Sequence, residues 1–235
     1  MALAGCDRLS HTTWFPRMLD GAQHLNRGVH KLLTGRNSMA QEFSEQDLSP
    51  DFRSNGTAYP VGDAYARLVE SGFTAWQLEV DGLVAAPQRL SLAALRALPS
   101  RTQITRHDCV EGWSAIAKWK GVPLAAVLAL ARPLPEAKFV VFHCADAMGD
   151  DGKRYYESID MEDAWHPQTI LAYDMNDAAL PIKNGAPLRA RVERQLGYKH
   201  AKYLMRLELA ADLDAFGAGN GGYWEDLGYS WYAGI

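Results

Sequence analysis

An α+β fold is predicted by two features of the sequence. Apolar residues recur at both helical and strand spacing, and the two kinds of segment alternate without the regular strand–helix–strand period of a parallel sheet. No internal repeat and no linker divides the chain, so its 235 residues are read as one domain, long enough to bury a large core. In order, Met18, Leu19, Ala22, Leu25, Val29, Leu32 and Leu33 predict a helix from Pro16 to Leu33, with Gly35 just beyond it. The polar, turn-rich stretch through Ser49–Pro60 reads as an extended loop. With an aromatic residue and an arginine beside Asn55-Gly56, it is a candidate for ligand contact. Short helices are predicted over Gly62–Gly72 and Leu90–Leu98, the second capped by Ser91, and an apolar helix runs from Pro123 to Ala131. Strands are predicted at Trp76–Val80, Thr102–Thr105, Lys138–Ala145, Arg154–Ile159, Thr169–Tyr173 and Lys202–Leu209, and a turn at Asn184–Pro187 before Leu188–Val192. Met161–Trp165 reads as a helical turn, and the glycine- and aromatic-rich tail from Gly217 to Ile235 as irregular.

Composition narrows the function. Hydrophobic residues at 48%, charged residues at 22% and a net charge of −4 are globular proportions, without the basic field that phosphate backbones select; nucleic acid is excluded as a partner. No apolar run approaches the length that crosses a bilayer. Leu3-Ala4-Gly5-Cys6 is similar to a bacterial lipobox, whose cysteine becomes the acylated first residue of a lipoprotein, but the charged and apolar regions that precede a lipobox are missing. The expectation is a periplasmic protein, lipid-anchored through Cys6, whose export signal is absent from this chain; a chance tetrapeptide is the alternative.

The strongest chemical signal is Cys109-Val110-Glu111-Gly112-Trp113-Ser114. A strand-like run delivers a cysteine into a turn that Gly112 permits, and Trp113 and Trp119 are read as walls. Seven tryptophans and ten tyrosines, many near Gly and Pro, are the composition of a walled pocket or of aromatic loop packing. The three cysteines, Cys6, Cys109 and Cys144, form neither a disulfide framework nor a CxxC metal site. Cys109 can be an inert core thiol, a nucleophile paired with His107, or one soft ligand to a metal whose other ligands come from a cofactor. A lone cysteine with no second ligand in register fits the last reading better than the second.

Five ordered motifs carry a resemblance. They are Cys109–Ser114, Trp119 with Gly121-Val122-Pro123-Leu124, His166-Pro167-Gln168-Thr169, Asn184-Gly185-Ala186-Pro187-Leu188-Arg189, and Gly197-Tyr198-Lys199-His200-Ala201-Lys202. From Trp76 to Leu209 the chain resembles the molybdopterin-binding domain of the sulfite oxidase family. The nearest branch is the bacterial one that includes the periplasmic methionine-sulfoxide reductases. The resemblance implies a sulfite-oxidase-type fold with mixed sheets, and a mononuclear molybdenum held by one molybdopterin and the thiolate of Cys109. Residues 1–60 would form an N-terminal segment, a helix and a cofactor-contacting loop, packed on a molybdopterin-binding domain of residues 61–235. By motif position Asn55, Cys144, His166, Arg189, Lys199 and Lys202 would hold the pterin and its phosphate. Fixed charge and donors make the best case for Arg189 and Lys202. A turn residue is the alternative for His166, and a buried structural thiol for Cys144. Tyr155, in a Tyr-x-x-Ser-Ile pattern, would stand beside the metal as a catalytic donor, with Tyr156 the alternate in register.

The resemblance also implies departures that bear on substrate. A family arginine five residues after the metal cysteine is Ser114 here, and another is replaced by Lys199, which disfavours a small oxyanion such as sulfite. The expected activity is reduction of a small S-oxide or N-oxide by oxygen-atom transfer. A sulfite oxidase is the alternative, and an inactive anchored binding module or a thiol hydrolase stands further off. With no Cys-x-x-Cys-His haem site and no iron–sulfur pattern in the sequence, electrons come from a separate partner, membrane-bound in one version. A monomer is expected, because the C-terminal dimerisation domain of sulfite oxidases does not follow the last motif.

Overall fold

The computed structural model describes residues 38–148 and 152–235, with a few separate positions before residue 38. The Pro16–Leu33 helix and Cys6 fall largely outside the described residues; Gly21, Leu25 and Arg27 to Val29, which are described, are helical. Ten strands form two sheets. One has the order β2 (Gln88–Ser91), β1 (Gln77–Gly82), β10 (Leu204–Ala210), β5 (Phe139–Ala147) and β6 (Arg154–Asp160). The other has β3 (Arg101–Asp108), β4 (Ser114–Pro123), β7 (Thr169–Met175) and β8 (Ala178–Ala179), with β9 (Arg189–Val192) also paired to β7. Every pairing is antiparallel except β1 with β10, which run parallel with Glu79 opposite Arg206. That pairing needs a long crossover. The second sheet is built entirely within it.

Side-chain pattern explains the layers. In β1 the buried positions are Leu78 and Val80, and in β3 Gln103, Thr105 and His107, every second residue as a half-buried strand requires. β7 is buried along Thr169–Tyr173 without alternation, as a strand covered on both faces must be. Of the helices described from residue 38 onward, α1 (Asp63–Glu70), α2 (Leu92–Ala97), α3 (Leu124–Ala131) and α4 (Met161–Ala164), α3 is the most apolar. Leu124, Val127, Leu128 and Ala131 share one face of it and have no exposure. They join Trp76, Leu78, Val80, Phe142, Leu171 and Leu207 in the main core, where each buried Leu or Val contributes roughly 1.5–3 kcal/mol. Ser91 caps α2, its Oγ accepting from the Ala94 amide at 3.1 Å.

Some elements differ from the sequence reading. Ser114–Pro123, for which no strand was predicted, is the ten-residue strand β4, and Trp119, read as a wall of the Cys109 turn, lies in the core with no exposure. Strand β2 was not predicted, because Gln88-Arg89-Leu90-Ser91 has a single apolar residue; it pairs with β1 through the ladder and through an Arg89–Glu79 ion pair at 2.8 Å. Register fixes one glycine. Gly121 sits at the irregularity between β4 and β7, and a Cβ there would lie 2.2 Å from the carbonyl oxygen of Leu171 and 2.6 Å from Cα of Ala172. Gly121→Ala is expected to destabilise the protein by about 3 kcal/mol or more, measured by thermal or urea unfolding; a change under about 1 kcal/mol would mean that the two strands can separate freely.

Candidate active site

The end of β3 and the start of β4 are joined by a tight loop. The Cys109 amide donates to the Trp113 carbonyl at 2.9 Å and the Gly112 amide to the Cys109 carbonyl at 3.0 Å, with Gly112 at φ 84°. This turn presents Cys109, half-buried, to a pocket of about 110 Å³. Asn55, Gly56 and Thr57 of the long loop line it, with Asp146 and Met148 from the end of β5, Tyr155 from β6, and Tyr198, His200 and Lys202 from the segment before β10. Trp224 and Tyr229 of the tail complete the rim. The pocket therefore collects Cys109, Asn55, Tyr155 and Lys202 from the residues the sequence singled out.

Burial raises the Cys109 thiol above its ordinary value, and the Glu111 carboxylate adds to this against the opposing pull of its backbone bonds and Arg53. The nucleophile reading fails on its partner. Arg191 donates to Nδ1 of His107 at 3.0 Å, and burial together with His200, Arg191 and Arg189 holds that imidazole neutral. Its rings pack on Trp113 and His200, with centroids 5.4 and 5.1 Å away, so His107 is a core residue.

Beneath the pocket lies a fully buried cation. Arg189 donates to the carbonyls of Asn184 at 3.0 Å and His200 at 3.3 Å and packs on the Trp119 ring, and burial with the nearby Arg191 pulls it down to about 9. Lys202, brought down to about 7 by burial and then by Arg189, donates to the carbonyls of Thr57 and Lys183 and to Ser54. Buried polar atoms of this region without a protein partner include Oδ1 of Asn55, Oδ1 of Asp146, Nδ2 of Asn184, Nε of Arg189 and Nδ1 of His200. Buried polar groups are seldom left unpaired, and a cation without a carboxylate beside it is under-neutralised. Asn184 and His200 are the two residues whose carbonyls Arg189 holds. Free donors on Asn184 and Arg189 and free acceptors on Asn55 and His200 fit a group that bonds in both senses and carries an anionic part, and a phosphorylated pterin with molybdenum beside the Cys109 thiolate has that chemistry.

Asn184 and His200 were missed as site residues, although both stand in motifs that the sequence showed. Asn184 opens the Asn-Gly-Ala-Pro turn. His200 lies two before Lys202, a spacing that can put both on one face. Three expected residues are not brought to the pocket. His166 bonds to the Ser38 carbonyl at 3.1 Å and accepts from the Gln168 amide at 3.2 Å, which makes it a turn residue. Cys144 belongs to the main core and borders a neighbouring cavity on the far side of Tyr155. Lys199 has no exposure and is held between Glu157, at 2.5 Å, and Glu225. Tyr155 does reach the pocket, and its hydroxyl donates to the Tyr198 carbonyl at 2.5 Å. Tyr156, the alternate, instead donates to Asp226 at 2.6 Å.

Asp146 carries a pH signature. Burial pushes its carboxyl from 3.8 up to about 6, against the pull of Lys202. A carboxyl whose folded value is raised stabilises the fold fully below its unfolded value, and that contribution is lost as pH rises through the folded value. In the cofactor-free protein, Asp146→Asn is expected to gain stability over wild type between about pH 4 and pH 6.5, by on the order of 3 kcal/mol. Parallel pH–stability profiles for the two proteins would refute this environment.

Comparison with known proteins agrees with the geometry. Residues 66–215 match the model of the oxidoreductase molybdopterin binding domain. A sequence of Azospira oryzae, provisionally assigned as protein-methionine-sulfoxide reductase subunit YedZ1, is 41% identical over 209 residues, 89% of this chain and 73% of that protein. The protein-methionine-sulfoxide reductase catalytic subunit MsrP of Ralstonia nicotianae is 36% identical over 141 residues, 56% of this chain and 43% of its own length. The chain thus spans less than half of that relative. The sulfane dehydrogenase SoxCD of Paracoccus pantotrophus shares the fold, with a TM-score of 0.53 and 24% identity over 59% of this chain and 39% of that one. The pocket's donor set, the cysteine at its centre and a family match that runs from α1 into the tail lead to one conclusion: the chain belongs to the oxidoreductase molybdopterin-binding family and is a molybdenum-cofactor-dependent enzyme.

Proposed function

We propose that this protein reduces a neutral S-oxide to the thioether, with electrons delivered by a separate protein. One observation carries the choice of substrate: the ionisable residues lining the pocket are Cys109, Glu111, Asp146, Tyr155, Tyr198, His200, Lys202 and Tyr229, with no arginine among them. Two carboxyls face one lysine, and His200 is held neutral by burial and the two arginines behind it. Such a lining offers no guanidinium to clamp a dianion such as sulfite. Ser114, whose identity first cast doubt on sulfite, is exposed, donates to Asp108 at 2.5 Å and lies outside the lining. Arg53, the guanidinium near the mouth, is exposed with its Cζ 6.0 Å from the Trp113 ring. The names of the methionine-sulfoxide reductase relatives support the same reading.

When bound, the cofactor supplies two-electron, oxygen-atom-transfer chemistry. The chain's part is to hold and shape. Cys109 would give its thiolate to the metal, losing the proton that burial favours. Arg189, Asn184 and Lys202 would present donors to the pterin and its phosphate, with Asn55 accepting, as would Nδ1 of the neutral His200, whose Nε2–H goes to the carbonyls of Val192 and Gln195. Glu111 is fixed beside Cys109 by the indole of Trp113, which donates to it at 2.8 Å. Tyr155 is oriented by its bond to the Tyr198 carbonyl and offers its oxygen lone pairs to the pocket. Trp224, Tyr229 and Met148 give apolar surface to a thioether.

Purified protein is expected to hold close to one molybdenum per chain and to reduce dimethyl sulfoxide or methionine sulfoxide with a reduced dye, while oxidising sulfite at no measurable rate; efficient sulfite oxidation would overturn the reading. In Cys109→Ser the X-ray absorption edge is expected to lose one molybdenum–sulfur contribution, and S-oxide reduction to fall by more than about 100-fold. An unchanged spectrum counts against ligation by Cys109.

A further inference from the structure

The tail from Asp212 onward contains no helix or strand, yet part of it is as buried as the core. Glu225 is 3% exposed and reaches Lys199, which is also held by Glu157 of β6. The ammonium lies over the Trp231 ring, 5.1 Å from its centroid. Gly222 is packed directly on this cluster: a Cβ there would lie 2.0 Å from Oε2 of Glu225 and 2.7 Å from Oε1 of Glu157. Further bonds tie the same tail segment to β6. The Tyr223 amide donates to the Tyr156 carbonyl at 3.0 Å, Ser158 donates to the Gly221 carbonyl, and the Trp231 indole donates to Ser158 at 2.8 Å.

Glu225 is the residue after Trp224, and the turn that follows closes on Trp224 itself. The amides of Leu227 and Tyr229 both donate to the Trp224 carbonyl at 3.0 Å. Tyr229 stacks on Trp224, with centroids 5.3 Å apart and planes at 26°, and meets Tyr198 edge-on at 5.5 Å. Tyr198 in turn donates to the Ser230 carbonyl at 2.6 Å. The buried ion cluster and the aromatic rim of the Cys109 pocket are therefore two sides of one short turn.

We infer that Trp224 and Tyr229 are the residues that select a substrate with an apolar thioether arm, and that Lys199, clamped by Glu157 and Glu225, is the positioning residue that holds them at the pocket. The inference rests on the S-oxide reading and adds to it the residues that discriminate. Aromatic faces carry negative quadrupole potential, which disfavours an anion, while sulfur and its methylenes pack on them well. Lys199 replaces no charge in the pocket: its ammonium is spent on two carboxylates behind the wall. Oε2 of Glu157 and Oε2 of Glu225 have no partner of their own, and burial pushes the Glu157 carboxyl up against the pull of Lys199.

The test compares molybdenum-loaded wild type with Trp224→Ala, Tyr229→Ala and the double variant Lys199→Met with Glu225→Gln, which removes the ion pair and leaves Glu157, whose carboxyl burial already pushes up, to take a proton. The readouts are kcat and KM for dimethyl sulfoxide and for N-acetyl-methionine sulfoxide amide, molybdenum content, and affinity for the thioether N-acetyl-methionine amide by calorimetry. In each variant the KM ratio of the methionine compound to dimethyl sulfoxide is expected to rise about tenfold, with thioether affinity falling by a similar factor. Molybdenum content of the double variant is expected to match wild type. An unchanged KM ratio and thioether affinity in Trp224→Ala would overturn the wall. Loss of molybdenum and pterin from a folded double variant would overturn the positioning role and return Lys199 to the cofactor. If loaded wild type reduces neither S-oxide, the functional reading fails; thioether binding that is weakened in Trp224→Ala would still support the wall.

Discussion

Two guanidinium groups lie against the ring of Trp119, Arg189 with its Cζ at 5.0 Å and Arg191 at 4.5 Å, and neither has any exposure to solvent. Burying two cations so close together is costly, and the surrounding structure is organised to offset it. Glu193 takes Arg191 through both oxygens, at 2.9 and 2.6 Å, and also accepts from Gln103 at 2.8 Å. His107 gives up a ring nitrogen to the same arginine. Strands β3, β4 and β9 are thereby joined through side chains as well as through the ladder. Arg189 has no such carboxylate, only two carbonyls, and its uncompensated charge is what the pocket offers to an anion.

This arrangement separates two jobs that positive charge does in the molecule. Arg191 and Lys199 are neutralised inside the protein and act on architecture, the first by fixing β3 and hence the Cys109 loop, the second by fixing the tail. Arg189 and Lys202 are met by carbonyls and a hydroxyl and by no carboxylate, and act on the ligand. The difference lies in the partners, not in the residue type: a buried cation with a carboxylate partner is structural, and one with only carbonyls can still receive a charge. Lys199 shows why position in a motif is an incomplete guide. It stands three residues before Lys202, yet its Nζ lies on the opposite side of the Tyr198 segment, beside β6.

The Cys109 loop depends on the same frame. Its cysteine is presented by a hairpin whose two strands are in register from Arg101 with Gly121 to Asp108 with Ser114. Phe52 packs edge-on against Trp119 and Trp113, at 5.2 and 6.3 Å, and so brings the long 49–60 loop to the same place. A thiol in this position is disfavoured as a free nucleophile by burial and by Glu111. That suits a ligand whose proton is displaced by a metal.

The sequence alone determined the α+β class, most strand positions, the apolar helix after Pro123 and the central place of Cys109. Periodicity, turn residues and an ordered set of motifs are local or linear signals, and the chain carries them in full. It also marked Asn55, Tyr155, Arg189 and Lys202, whose chemical types suit a pocket wherever they fall. Only the tertiary structure decided which motif residues meet. His166 was drawn to the Ser38 carbonyl, Cys144 to the core and Lys199 to two carboxylates distant in sequence, at 157 and 225. Trp119 became core because β4 pairs on both edges, which its own neighbours do not announce. The aromatic tail, irregular in sequence and in structure, became a wall of the site because one buried glutamate is anchored there. Such choices depend on which partner lies across a space, and a linear pattern does not encode that distance.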